Sequence, residues 1–400
     1  MRTANNGKKL IFLTLFLLLI SLEGLAQNPI IYNDSILTGC QQTHLYKSIL
    51  ENKTVGVVSN LTAKIGSTHL VDTLLAMGIK VKKIFAPEHG FRGGGDAGEH
   101  VNNSVDERSG LPIISLYGDH KKPDTKDLEG IQIMVFDIQD VGVRFYTYIS
   151  TLHYIMEACA ENNIELLVLD RPNPNGFYVD GPVLKPKFTS FVGMHPVPIV
   201  YGLTIGEYAG MINGEGWLKN HVQCNLKVIP LSHYNHKDLY RLPENPSPNL
   251  RTMEAIFLYP SLCLFEGTVV SVGRGTEKPF ERIGYPNSRC GDYVFTPKSS
   301  FGAKHPPFEN QTCQGYNLEN RCSQVLEEKR LILGWLMDFY QNADNKGTFF
   351  NSFFEKLAGT DVLKEQIIRG LKEKEIRQSW QEELNAYKLI RKKYLLYSDF

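Results

Sequence analysis

The feature that most constrains this chain is a series of short, almost wholly apolar segments, each ending in a polar or charged residue. Residues 131–137 (IQIMVFD) and 165–170 (ELLVLD) are too apolar for strands with one wet face. Such segments belong in a parallel sheet that is covered on both sides. Residues 53–60 (KTVGVVSN), 81–86 and 112–117 read as further strands. Between them, residues 68–77 carry apolar side chains at helical spacing ahead of Gly78, and residues 146–162 form a long helical pattern. Strand–helix alternation of this kind predicts an α/β fold built on a Rossmann-like parallel sheet.

The texture changes at about residue 172, where six prolines fall between Pro172 and Pro198. The organisation expected is a Rossmann-like catalytic lobe over residues 40–190. A second, smaller α/β lobe follows over residues 191–400, with the active site in the cleft between them. The second lobe reads as a helix over 204–217, a strand over 226–231 and a proline-rich loop over 243–248. An apolar run over 255–272 then reads as a strand interrupted by Glu266, and amphipathic helices cover 323–342 and 361–379. With 42% hydrophobic and 22% charged residues, the chain has material for a sizeable core.

The N-terminus carries its own message. Arg2, Lys8 and Lys9 precede an apolar run over residues 10–20, and Gly24 and Ala26 flank Leu25. This order of regions predicts a signal peptide over residues 1–26, cleaved after Ala26. The run is short of the roughly 20 residues that span a bilayer, so an exported, periplasmic or extracellular protein with no stable membrane anchor is expected. The 43 basic and 43 acidic residues cancel, so no bulk field draws the chain to nucleic acid. Seven scattered cysteines contain no CxxC pair, which excludes a zinc ribbon or a redox motif. Cys159 and Cys263 read as small core residues, while Cys290, Cys313 and Cys322 could form one disulfide in an oxidising compartment.

Ligands of open parallel sheets bind beyond the carboxyl ends of the strands. Four of those ends are polar here: Asn60, then Glu88-His89, then Asp137 with Asp140 and Arg144, then Asp170-Arg171 with Asn173. Glu88 is the sharpest candidate, because Pro87 keeps the strand extended up to the turn and Gly90 lets backbone pass close to a ligand. A carboxylate there can serve as a general acid or base. In the second half, Glu266, Arg274 and Glu281 crowd one Gly-rich segment, and Arg274 offers a planar donor fork suited to a carboxylate. Several rival motifs fail their context. Gly93 to Gly98 matches GxGxxG, but the polar residues after it open no helix, and neither a P-loop nor a GxSxG elbow is present. HExxH spacing is absent too, so neither a metal nor a cofactor is expected.

Four segments together resemble the NamZ-type exo-β-N-acetylmuramidases: APEHGFRG (residues 86–93), DIQDVGVRFYTY (137–148), LDRPNPNG (169–176) and EGTVVSVGRGTEKPFE (266–281). The resemblance runs from about Thr54 to the C-terminus. It implies an enzyme of cell-wall turnover that releases N-acetylmuramic acid from the non-reducing ends of peptidoglycan fragments. It also implies that Glu88, in the PEHG motif, is the catalytic acid. Glycoside cleavage needs a second carboxylate, for which Asp137, Asp140 and Glu266 stand as candidates. Arg274 or Arg144 would recognise the lactyl carboxylate. Asn60, His89, Arg92, Tyr146, Asp170, Arg171, Asn173 and Glu281 complete the expected substrate contacts. The competing class is an exported sugar- or muropeptide-binding protein without catalysis.

Overall fold

Seven strands line up in one mainly parallel sheet: β1 (Thr54–Ser59), β2 (Lys80–Ala86), β3 (Ser104–Val105), β4 (Pro112–Ser115), β5 (Ile133–Asp137), β6 (Glu165–Leu169) and β7 (Leu226–Ile229). The structure, a computed structural model, describes residues 29–93 and 103–400. The expected signal peptide and most of the Gly93–Gly98 match lie outside the described residues. The spatial order is β3-β4-β2-β1-β5-β6-β7, and β3 alone runs antiparallel, against β4. The chain therefore builds outward from β1 through β2 to β4, then resumes with β5 on the other side of β1.

Burial follows the apolar pattern. Every residue of β1 and β5 is buried. Successive strand side chains point to opposite faces. On one face Val55, Val57, Ile133, Val135, Leu167 and Leu169 join Tyr46 and Leu50 of α1 (Thr43–Leu50) and Leu70, Val71 and Leu74 of α2 (Leu70–Ala76). The other face is covered by α3 (Tyr148–Glu161) and α4 (Ile205–Gly214), which pack on β6 and on each other. α4 starts where its sequence says it should. Thr204 and Glu207 form a reciprocal capping box that satisfies backbone donors at the helix start.

The two-part organisation stands, a large mainly parallel sheet followed by a smaller second domain, but β7 lies beyond residue 190 and completes the large sheet, so the first part extends past that position. Asn33–Phe400 form one compact unit. The proline-rich stretch is threaded through the interior rather than acting as a linker, and Arg144 shows why. Its guanidinium is completely buried and donates to the carbonyls of Pro182 and Val197 (2.8 Å each), Leu357 (3.0 Å) and Ala358 (2.7 Å). Arg144 is thus an internal brace between distant loops, not the substrate contact expected of it.

The apolar run over 255–272 is not a strand. It begins as α5 (Met253–Leu262), capped by Thr252, whose side chain accepts from the Ala255 amide. A 3-10 turn (Cys263–Gly267) follows. A helix buried on all sides has no polar stripe, so its sequence looks like a buried strand. A three-stranded antiparallel sheet of β8 (Arg282–Tyr285), β9 (Tyr293–Phe295) and β10 (Cys313–Asn317) comes next, with β10 in the middle. The two C-terminal helical patterns are each broken in two, at Lys329 (φ 48°) and at Gly370 (φ 73°), both left-handed positions that end a helix. All seven cysteines are free and individually buried, so the expected disulfide is not formed.

Candidate active site

The carboxyl ends of β2 and β4 open into a cavity of about 240 Å³. Glu88 enters it from the turn after β2. That turn is sharp because His89 (φ 71°) and Gly90 (φ 76°) are both left-handed, and a non-glycine residue in this region marks a locally constrained backbone. Thr147, just ahead of α3, donates its hydroxyl to Glu88 Oε2 at 2.9 Å. Tyr117, two residues past β4, also hydrogen-bonds the Glu88 carboxylate. Burial first, then the neighbouring Glu88 charge, hold the Tyr117 phenol above its ordinary range. Tyr117 therefore keeps its proton at neutral pH and acts as a donor. His89 lines the same cavity.

A second carboxylate arrives from the other half of the chain. Glu266 lies in the 3-10 turn after α5, with Oε1 accepting from Arg274 Nε at 2.7 Å and Oε2 from the Cys263 thiol at 3.6 Å. The Arg274 guanidinium sits 5.2 Å from the centre of the Phe280 ring. Burial works against its charge, and the Glu266 carboxylate overrides this and raises its pKa. The loop reaches inward because Gly273 (φ 74°) and Gly275 (φ 82°) flank Arg274 in conformations that side-chain-bearing residues resist. Beyond Glu266, no described residue hydrogen-bonds the Arg274 guanidinium.

Rings from several elements line the same cavity as the two carboxylates. Tyr259 meets Phe145, Tyr146 and Phe280 edge-on, with centroids 5.5, 6.0 and 5.0 Å apart, and Tyr146 meets Tyr148 at 4.8 Å. Tyr146 is further fixed by donating to the Pro246 carbonyl at 2.7 Å. Edge-to-face contacts of this kind each add about 0.5–1.5 kcal/mol beyond area burial, so the wall is rigid before any ligand enters. Rings flanked by hydrogen-bonding acids suit the apolar face and polar rim of a sugar.

The structure thus brings Glu88, His89, Tyr146, Glu266 and Arg274 to one cavity. It gives the other expected site residues different work. Asp137 is completely buried and forms a bidentate pair with Arg171, at 2.5 and 3.0 Å, so neither faces the cavity. Asp170 is completely buried and accepts from the Arg171 and Gly206 amides and from the Thr204 and Tyr397 hydroxyls. Burial pushes the Asp140 carboxyl up to about 7, and Asp140 is bound by Tyr201 and by the Gly142 amide at 2.8 Å. Asn60 stands behind the wall, donating to the Tyr148 hydroxyl at 2.9 Å. Asn173 donates to the Leu203 carbonyl and accepts from the Asn175 amide. Arg92 pairs with Asp106 and Asp72, and Glu281 accepts from the Thr252 hydroxyl at the start of α5. All of these are corrections to the expected contact set, and the reason is common to them: each already has protein partners and does not line the cavity.

Several lining residues went unanticipated. Tyr117 had a signal, since it follows a strand whose carboxyl end belongs to the same edge as the others. Thr147, Phe191, Ser247, Leu250, Tyr259 and Phe353 also line the cavity, and nothing local in the sequence marks them. Among the described residues, no group of three His, Cys, Asp or Glu side chains converges to hold a metal.

The chain matches known proteins over most of its length. Residues 55–254 match the family model described as "Exo-beta-N-acetylmuramidase NamZ, N-terminal", and residues 257–397 match its C-terminal counterpart. The Peptidoglycan beta-N-acetylmuramidase NamZ of Bacillus subtilis (strain 168) is 38% identical over 373 residues, covering 88% of this chain and 89% of that protein. A crystal structure of a DUF1343 family protein from Bacteroides fragilis NCTC 9343 superposes with a TM-score of 0.86 at 46% identity, over 92% of this chain and 100% of that one. A second DUF1343 structure from the same strain gives 0.74 at 27% identity, again over 92% and 100%.

Proposed function

The chain belongs to the NamZ family of exo-β-N-acetylmuramidases, and from that premise we propose that the Glu88–Glu266 cavity removes single N-acetylmuramic acid residues from the non-reducing ends of peptidoglycan fragments. The coarser activity goes with the family: the protein is a glycoside hydrolase, a β-N-acetylmuramidase acting on peptidoglycan. The observation that carries the finer reading is two carboxylates, delivered from opposite halves of the chain, lining one small ring-walled cavity. At about 240 Å³ it falls below the roughly 300–1,000 Å³ of sites for drug-sized ligands. That is room for a terminal sugar rather than for a glycan strand passing through, which supports exo action.

Each residue then has a task. Glu88, oriented by Thr147 and Tyr117, gives its proton to the glycosidic oxygen as the bond to the anomeric carbon breaks and the electron pair leaves with that oxygen. Glu266 supplies the second carboxylate, which supports the positive charge building at the anomeric carbon before water completes the hydrolysis. Arg274 spends its Nε on Glu266 and turns its terminal nitrogens to the lactyl carboxylate that sets muramic acid apart from glucosamine. We also propose that the protein is exported and serves wall turnover. The basic head, apolar run and small residues before position 27 support this, as does a substrate that lies outside the cytoplasmic membrane.

Incubation with the disaccharide of N-acetylmuramic acid β-linked to N-acetylglucosamine, followed by mass spectrometry, tests the reading. Free N-acetylmuramic acid is the expected product, and longer glycans should yield it before any internal fragment. Early internal fragments would overturn exo action. Binding without turnover would overturn catalysis and return the protein to the sugar-binding class.

A further inference from the structure

The task assigned to Glu266 needs its carboxylate held in one orientation, and each of its oxygens has a donor. Arg274 Nε donates to Oε1 at 2.7 Å, and the Cys263 thiol donates to Oε2 at 3.6 Å. We propose that Cys263 is a positioning residue for the reaction: its thiol, itself held by the Tyr259 hydroxyl, fixes the orientation in which Glu266 faces the anomeric carbon. This rests on the reading of Glu266 as the second carboxylate of a muramidase.

Cys263 is 2% exposed, so it does not touch a substrate and acts only through Glu266. Burial first, then the Glu266 charge, hold its thiol well above the ordinary range, so it keeps a proton to donate. Tyr259, a ring of the cavity lining, hydrogen-bonds the same sulfur. A line of bonds therefore runs from the cavity wall through the sulfur to the carboxylate. Tyr259, Cys263 and Glu266 follow one another at intervals of four and three residues, which brings them to one face of α5 and its following turn. The backbone of that turn is fixed by other contacts. Phe265 meets Phe339 edge-on with centroids 5.6 Å apart, the Asn351 amide donates to the Gly267 carbonyl at 2.9 Å, and any side chain on Gly267 would strike Phe354. What is left to Cys263 is the rotation of the Glu266 side chain. A thiol is a weak donor, so it steers Oε2 and leaves on the carboxylate the charge that stabilises the anomeric centre.

The test measures kcat and KM on the muramyl disaccharide for Cys263→Ala and Cys263→Ser, with the infrared S–H stretch as a second readout. Cys263→Ala should lower kcat about fivefold, the scale of one net hydrogen bond, with KM held within about twofold. Cys263→Ser restores a donor and should return kcat to within about twofold of wild type. A packing role predicts the opposite order, because a buried hydroxyl costs more than a methyl group. A kcat as high in Cys263→Ala as in Cys263→Ser, or a loss confined to KM, would therefore overturn the assignment. The difference spectrum of wild type minus Cys263→Ala isolates the Cys263 S–H band. The same difference taken in a Glu266→Gln background should show that band at higher frequency, since a carboxylate is the stronger acceptor. An unmoved band would also overturn the assignment. Wild-type turnover by Glu266→Gln would instead overturn the reading beneath it, in which Glu266 is the second carboxylate.

Discussion

The carboxyl edge of the large sheet has two halves with opposite fates. Over β5 and β6 it is closed: Asp137 and Arg171 neutralise each other in complete burial, and Asp170 accepts four hydrogen bonds. Over β2 and β4 it is open: Glu88 is half-buried, faces a cavity and is steered by two hydroxyls. The residue types and the topological rank are the same on both sides. What differs is whether another part of the chain has already supplied the partners. A buried charge persists only when paired, so a fully partnered strand-end acid becomes a brace. An acid with space before it remains available as a reagent. The crevice between β1 and β5, where the strand order reverses and ligands would be sought first, is filled by Asp137–Arg171 and by Asn60 bound to Tyr148. The ligand cavity lies over β2 and β4 instead.

The sharpest way to break this contrast is Glu88→Gln. Removing a general acid should lower kcat/KM on the muramyl disaccharide, whose sugar leaving group must be protonated, about 10³-fold, while a thermal melt stays within a few degrees of wild type. Near wild-type turnover would empty the open half of its role. Asp137→Asn should do the reverse, leaving Arg171 buried without its counter-charge. About 3–5 kcal/mol of stability should be lost in urea unfolding, with kcat of the folded fraction held within about threefold. A stable but inactive Asp137→Asn would move chemistry into the closed half. Arg274→Ala should shift preference from β-muramides toward β-N-acetylglucosaminides by about tenfold in relative kcat/KM, and unchanged preference would reject its lactyl role.

The smallest effect concerns Asp140. Its carboxyl is raised to about 7 by burial, so the folded state holds a proton that the unfolded chain releases in the ordinary carboxylate range. The stability it contributes is present at acid pH and is lost as pH rises from about 4 through about 7, at roughly 1 kcal/mol per pH unit in mid-range. Asp140→Asn should remove that slope from a plot of unfolding free energy against pH. An unchanged slope would show that Asp140 is ionised in the fold, as a participant in the chemistry would be.

Much of this was legible in the sequence. The six strands β1, β2, β4, β5, β6 and β7 coincide with expected segments to within a few residues, because apolar runs and their polar ends are local properties. Glu88, Glu266 and Arg274 stood out because proline and glycine mark places where backbone is bent toward a ligand. Asp137 was over-read, since a strand-end acid has the same local sequence whether it meets solvent or an arginine on the next strand. α5 was misread because complete burial erases the helical stripe. Tyr259, Phe191 and Phe353 left no trace, since aromatics in a cavity wall and aromatics in a core share one local pattern.

The sequence by itself determined the sheet, its polar edge and the two Gly-rich approaches to it, all of which follow from the spacing of residues near one another in the chain. Only the tertiary structure decided which part of that edge stays open. That choice depends on partners from far along the chain: Tyr397 for Asp170, the Leu357 and Ala358 carbonyls for Arg144, and α5 with its following turn to bring Glu266 to the same cavity as Glu88. Burial and pairing are properties of the packed whole, and they separate the acids that hold the fold from the acids that face the substrate.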